Sequence, residues 1–376
     1  MKIPDVAIVG GGLIGGTIAW ELARHKLQVV VLDRQHPGRE ASWAAAGILS
    51  ASPESPAAIP VVPLFKASLA MFPQFVETIE QDTGRKVGFR RKGAIEAFLS
   101  GDVRRELSTF MALNHGLGLA AEPLPIEKAR ELEPDLSEEA QAAALLPDDA
   151  AVDSRLLTEA VLVAALKTGA MIRPDSDVSR LMSSGGRVTG VVAGGEPLSA
   201  GHIVIAAGCC SAQIEGLAHI APTRPVRGQM VSLRSRSVNI QRVLRSARGY
   251  LVPRDDGRLV AGSTTESAGY EKGVTASGIE QILRSVLELA PGLADAAITE
   301  TWSGLRPDSP DHLPILGPAD LEGLLIATGH YRNGILLAPV TAMLVREWIM
   351  EGRASLETET FSPMRFERTP RASAAG

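Results

Sequence analysis

Residues 6–33 read VAIVGGGLIGGTIAWELARHKLQVVVLD, and this stretch decides the fold. The short apolar run at residues 6–9 stops at glycines, residues 13–24 follow with helical spacing at Leu13, Thr17, Trp20 and Ala23, and residues 28–32 form a Val-rich run closed by Asp33. Short buried-type strand, helix and second strand make a βαβ unit. Gly10, Gly12 and Gly15 fall at its strand-to-helix turn as G-x-G-x-x-G. The first glycine allows the turn, the second lets a pyrophosphate approach, and the third permits tight helix packing. The helix N-terminus then faces the phosphates with bare N–H groups. Asp33 stands where an acidic side chain accepts ribose hydroxyls and repels a 2′-phosphate. The unit predicts dinucleotide binding; it does not separate FAD from NAD, which share the adenosine-pyrophosphate half.

Outward from this unit, the Pro-, Ser- and Ala-rich residues 53–63 read as an irregular loop, 64–79 as a helix and 87–99 as a hairpin. Helical stretches at 103–114, 126–132 and 156–167 follow, the last stopped by Gly169. From Val178 a pair of strands turns at residues 183–186, and 203–205 is another buried-type strand running into Gly208. Residues 226–233, 242–252 and 258–262 read as antiparallel strands with a helix at 276–289 laid across them. A strand at 324–327, a loop at 329–334, a helix at 335–350 and a frayed tail at 371–376 close the chain. The expected architecture is α/β: a Rossmann-type domain from 1–82, 150–220 and 306–376, and a second α+β substrate domain on an antiparallel sheet from 83–149 and 221–305.

Composition bounds the function. A chain of 376 residues fits two domains, and 45% hydrophobic with 22% charged residues is the balance of a folded α/β protein. A net charge of −5 and short, interrupted basic clusters such as Arg90-Arg91-Lys92 speak against nucleic acid. The two cysteines, Cys209 and Cys210, are adjacent, so neither a disulfide framework nor metal-ligand spacing is built from them. Free thiols, an N-terminal strand without a basic signal-type region, and no run near ~20 apolar residues predict a cytoplasmic protein with no membrane span.

The residues 39–50, REASWAAAGILS, resemble the segment after the second strand in the D-amino-acid-oxidase family of flavoproteins. The likeness continues through Val204 to Gly208, Pro225 to Met230, Tyr250 to Arg254, Trp302 to Pro307 and Gly329 to Pro339, in order across nearly the whole chain. Arg332-Asn333-Gly334 and Gly304-Leu305-Arg306-Pro307 point to its glycine-oxidase branch, which serves thiamine biosynthesis. The resemblance implies non-covalent FAD, a small amino-acid substrate, oxygen as acceptor and a homo-oligomer, with a tetramer as the form to expect. It implies FAD contacts at Gly10, Gly12, Leu13, Ile14, Gly15, Asp33, Arg34, Ala41, Ser42, Ala46, Gly47, Ile48 and Val178, and at His330, Tyr331, Arg332, Asn333, Gly334, Ile335 and Leu336. No cysteine lies in that C-terminal loop to attach the flavin covalently. Arg248 and Thr265 depart from the branch, which carries His and Met there, so substrate size is less fixed than reaction type.

Arg306, Arg332 and Tyr250 become the substrate contacts on this resemblance. A guanidinium fork binds a carboxylate through two parallel, charge-assisted hydrogen bonds, and Arg306 is the choice for that clamp. From the residues alone, Arg306 in a Gly-rich turn also reads as a salt-bridge partner, Arg332 as a helix-start arginine paired to a surface carboxylate, and Tyr250 as sheet packing. His330 invites a general-base reading, but a flavin accepts the hydride, so no catalytic side chain is required and His330 reads as packing. A dehydrogenase of the same fold passing electrons to a quinone or dye, and a non-catalytic FAD subunit of an oxidase complex, are the competing readings.

Overall fold

The computed structural model describes residues 3–366; the tail at 371–376 lies outside the described residues. A six-stranded sheet runs in the order Ile315–Pro318, Leu324–Thr328, His202–Ile205, Val6–Val9, Val29–Leu32, Met171–Arg173. All its pairings are parallel except that of its first two strands. Its central strands are buried on both faces, which is why they read as unbroken apolar runs. The helices Leu13–Arg24, Ser154–Thr168, Val62–Thr83 and Gly334–Glu351 pack together over one face. A three-stranded antiparallel sheet, Val178–Ser184, Arg187–Ala193 and Glu196–Ser199, covers the other.

The second large sheet has eight strands, in the order Ala297–Asp308, Arg224–Arg234, Leu259–Gly262, Gly249–Pro253, Val243–Ser246, Ala94–Phe98, Ala142–Leu146, Glu122–Leu124. One face buries Ile95, Leu244, Leu251, Ala261 and Val231 under the helix Ala276–Leu289. The other turns toward the six-stranded domain.

Several expectations are corrected here. The sheet is antiparallel except between Val243–Ser246 and Ala94–Phe98, which run parallel because a long excursion separates them in sequence. Residues 87–99 hold one strand rather than a hairpin: Gly93, at φ 77, breaks the run, and Ala94–Phe98 pairs with distant strands. Residues 242–252 are two strands folded at residues 246–249, not one. Gly304 to Pro307 is no turn but part of the 12-residue edge strand Ala297–Asp308, where Pro307 is tolerated. The expected boundary at residue 306 therefore falls inside a strand. The loop at 53–63 shortens, since Val62–Thr83 starts with proline in its first turn and closes on Gly84 at φ 72. With the turn before it, this helix is long and apolar enough to cross a membrane by length and composition, contrary to expectation, but here it buries Phe65, Phe72 and Ile79 in the core.

Candidate active site

A cavity of about 1460 Å³ lies between the two large sheets, lined by residues from both. Its nucleotide end is made by the first βαβ unit. Gly10 sits at φ 108, and a side chain there would place Cβ 2.4 Å from the Ala206 carbonyl oxygen. Gly12 forms the N-cap with no side-chain cap, leaving the first turn open to a ligand; only the Leu13 N–H donates to Ser42 Oγ, at 3.0 Å. Gly15 does not line the cavity. A Cβ on it would stand 1.9 Å from the Gly10 carbonyl oxygen, so its task is helix packing against the turn, as the motif implies. Asp33 lines the cavity while its two oxygens accept from the N–H groups of Gly11, at 2.7 Å, and Gln35, at 2.9 Å. Those bonds aim the carboxylate and leave lone pairs free, since each oxygen accepts more than once.

The Ala-rich segment runs along the cavity with its carbonyls held from behind. Arg155 Nε donates to the Trp43 carbonyl, Trp302 Nε1 to Ala44, Ser154 Oγ to Ala45 and Arg254 to Ala46, at 3.3, 3.0, 2.6 and 2.6 Å. The Val152 N–H donates to the Gly47 carbonyl at 2.9 Å. Burial draws the Arg254 guanidinium down to about 10, still protonated near neutrality. Gly304 presses on Ala44, where an added Cβ would lie 2.3 Å from the alanine's own. The N–H groups of Ala46 and Gly47 meet no protein acceptor among the described residues. Open N–H groups, a narrow glycine cradle and room for a dinucleotide with a ring system fit FAD. Arg254, Ser154 and Trp302 were not foreseen as supports for this segment; the quoted motifs containing Arg254 and Trp302 held the signal.

The substrate end is a wall of side chains on the eight-stranded sheet. Register places Glu96, Arg245, Tyr250, Gly262, Met230 and Trp302 in one row across six strands. Arg306 sits on the edge strand, and its guanidinium lies flat over Gly228, where a Cβ would be 2.3 Å from both Nη atoms. It donates to the Thr264 carbonyl at 3.1 Å and to Ser263 Oγ at 2.7 Å, and among the described residues no carboxylate pairs with it. Desolvation lowers its pKa, nearby Arg332 adds to the fall, and the pull of Tyr250, Tyr331 and Glu54 restores only part of it. Burial raises the pKa of Tyr250, against the pull of Arg306, so the phenol stays protonated and able to donate.

Arg332 lines the same cavity but is already engaged: it donates to Glu54 Oε2 at 2.6 Å and to Thr265 Oγ1 at 2.7 Å. The two arginines expected to share one role thus differ, since only Arg306 is free of a carboxylate. His330 is buried, its Nε2 3.0 Å from Thr341 Oγ1, and burial depresses it to about 3, so it is neutral. Leu13, Ile14, Arg34, Ala41, Ser42, Ala46, Gly47, Ile48, Val178, Tyr331, Asn333, Gly334 and Ile335 all line the cavity. Leu336 does not; it faces the core, and its carbonyl accepts from Ser68 Oγ at 2.5 Å. One residue of helix phase separates it from Ile335. Cys209 and Cys210 line the cavity as free thiols, Sγ to Sγ 3.8 Å.

Comparison with known proteins adds the family. The model described as "FAD dependent oxidoreductase" matches residues 5–348. A glycine oxidase of Geobacillus kaustophilus is 34% identical over 363 residues, covering 95% of this chain and 96% of its own. A "Bifunctional protein ThiO/ThiG" of Synechocystis is 37% identical over 372 residues; the match takes 97% of this chain but only 54% of that relative. The crystal structure of the Geobacillus kaustophilus glycine oxidase superposes with a TM-score of 0.92 at 32% identity, covering 97% of this chain and 99% of the other.

Proposed function

The chain belongs to the FAD-dependent oxidoreductase family, and from that premise we propose that it oxidises the amine of glycine and of other small amines, sarcosine and small D-amino acids among them. With oxygen and water consumed, a primary amine gives the oxo acid, ammonia and hydrogen peroxide, while sarcosine releases methylamine in place of ammonia; the imine formed first from glycine would be available for thiazole formation in thiamine biosynthesis. The observation that carries the substrate class is Arg306, a desolvated guanidinium facing the cavity that fits FAD, with no carboxylate bonded to it among the described residues. Burying an unpaired charge is costly, and a substrate carboxylate is the group that relieves it.

FAD, when bound, supplies the hydride acceptor. Arg306 takes the substrate carboxylate in its fork, held flat by Gly228 beneath and by the Thr264 carbonyl and Ser263 at its nitrogens. Tyr250 donates its hydroxyl to the same carboxylate. No side chain is needed as base at carbon, and His330, neutral and bonded to Thr341, packs the loop instead. Arg332 stays paired with Glu54 in the cavity wall.

The test is to purify the protein, record the flavin absorption bands, and follow peroxide release with glycine, sarcosine, D-alanine and D-proline in turn. A yellow protein giving peroxide with glycine supports the proposal. A yellow protein inert with oxygen that reduces a dye is a dehydrogenase of the same fold, and one unable to take up FAD removes the cofactor as well.

A further inference from the structure

Cys209 and Cys210 line the cavity, and nothing in the hydride-transfer scheme uses them. They sit in the short helical turn Gly208–Gln213 after the strand His202–Ile205, whose following residues Ala206 and Ala207 press on Gly10 of the nucleotide cradle. Arg34, next in sequence to the ribose acid Asp33, is close enough to act on both thiols. The pair therefore stands at the nucleotide end. In an extended chain neighbouring side chains point to opposite faces. Here the turn brings both thiols together, Sγ to Sγ 3.8 Å, with Cys209 buried and Cys210 partly buried. The Tyr270 hydroxyl pins the turn by donating to the Cys209 carbonyl at 2.9 Å. The pair does not belong to a metal site: among the described residues no group of three or more His, Cys, Asp and Glu gathers to hold an ion.

The two thiols are not equivalent. Cys210 feels Arg34 and Lys272, and Glu40 is paired with both of those cations. The hydrogen bond from Cys209 draws Cys210 below an ordinary thiol, and the two cations add to this against desolvation and Glu40. Cys209 is pushed up, by its part in that bond and by burial. The sulfur that ionises first, partly open and beside cations, thus stands next to one that keeps its proton. That is the arrangement of a peroxide-sensitive cysteine with a resolving partner. Adjacent cysteines cannot staple distant parts of a fold, but they can close a small ring on themselves. Their Sγ atoms, 3.8 Å apart, must approach to about 2.0 Å, while Cα atoms about 3.8 Å apart across a trans peptide are closer than a relaxed disulfide prefers. Such a ring distorts the turn that carries it and is readily reduced.

We propose that Cys209 and Cys210 are a peroxide-responsive thiol pair whose reversible disulfide reshapes the nucleotide end of the cavity and weakens its hold on FAD. The Cys210 thiolate attacks one peroxide oxygen; the S–O bond forms, the O–O bond breaks and hydroxide leaves. That hydroxide takes the Cys209 proton and becomes water. The Cys209 thiolate then attacks the Cys210 sulfur, the S–S bond forms, and a second hydroxide leaves to recover the proton that Cys210 gave to solvent. Two thiols and one peroxide give one disulfide and two waters, with two electrons passed from sulfur to oxygen. A thiol reductant reverses the step by exchange. The proposal rests on FAD binding and not on the amine reading; peroxide is a product of that reaction, but any source serves.

The experiment adds hydrogen peroxide to wild type, C209S, C210S and the double variant C209S/C210S, each with FAD bound and stripped. Free thiols and peptide masses are read after alkylation, and FAD affinity by flavin titration. Wild type should lose both thiols and the mass of two hydrogens, the link should map within the peptide holding residues 209 and 210, and dithiothreitol should restore both thiols. C209S should stop at a sulfenic acid that dimedone traps, and C210S should react about tenfold more slowly. Oxidised wild type should bind FAD about tenfold more weakly and recover on reduction, whereas peroxide should leave the double variant at its own starting affinity. No reaction, a link between two chains, over-oxidation without a disulfide, or an unchanged FAD affinity in oxidised wild type overturns the proposal. Because peroxide is supplied, a protein that oxidises no amine still gives one answer or the other, so the two readings fail separately.

Discussion

The nucleotide cradle draws its turn, helix start and acid from residues 10–42, and most of its contacts are backbone groups that glycines leave exposed. The substrate wall takes Glu96, Tyr250, Met230 and Arg306 from four separate strands, and its contacts are side-chain charges. The first region fails when a Cβ is added, because a backbone cannot step aside. The second fails when a charge changes shape, and otherwise gives way. The sharpest way to break that contrast is Gly15→Ala. Its Cβ would stand 1.9 Å from the Gly10 carbonyl oxygen, and relief requires the turn itself to move. The expected loss in FAD affinity is about 100-fold or more, on the order of 3 kcal/mol. Flavin absorbance per chain after gel filtration measures it, and full retention of FAD would show the cradle to be more pliable than described.

Arg306→Lys tests the wall in the same way. Lysine keeps the charge but loses the planar fork, so kcat/KM should fall about tenfold to 100-fold while FAD stays bound. Steady-state kinetics beside a flavin spectrum separate the two effects; unchanged kinetics would remove Arg306 from the site. Gly228→Ala pushes from beneath. Its Cβ would lie 2.3 Å from both Nη atoms, yet a guanidinium can swing, so a KM rise of roughly fivefold, about 1 kcal/mol, is expected with FAD affinity unaltered. A fall in FAD affinity instead would mean that the two regions are not separable. Arg332→Ala should do less still: the pair with Glu54 sits near solvent, and such pairs are worth about 0–1 kcal/mol, a change of about fivefold at most in KM.

The same contrast explains what the sequence showed. A glycine motif, a helix period and an acid at the end of a Val-rich run are local, so the cradle was legible from residues 6–33. Arg306 was placed in the site through family likeness, but its strand was read as a turn because Gly304 and Pro307 flank it and edge position is invisible locally. Glu96 and Arg245 carried no signal at all. They meet only because Ala94–Phe98 pairs with Val243–Ser246 in parallel, a register set by tertiary packing. A surface carboxylate for Arg332 was one of the readings of the residues, but that the partner is Glu54, 278 residues away, was hidden. Leu336, expected at the cofactor, lies at the boundary between loop and helix, where one step of phase turns a side chain from cavity to core.

The smallest expected effect lies at His330, which borders both regions. Its ring is buried against Thr341 and depressed to about 3 by burial, so it is neutral and does not change protonation state throughout the working range. On the proposed mechanism only the unprotonated amine gives up hydride, so kcat/KM should rise with pH toward the amine's own pKa. His330→Gln keeps a donor for Thr341 and should leave that rising limb in place, even where it lowers the plateau. Stability is a different matter. The unfolded imidazole takes up a proton near its ordinary value while the folded one does not, so the wild type loses stability as pH falls from about 6.5 toward 3, and the variant loses less. A displacement of the kinetic limb by half a pH unit, about 0.7 kcal/mol, would instead make His330 a titrating part of the wall and dissolve the boundary between the two regions.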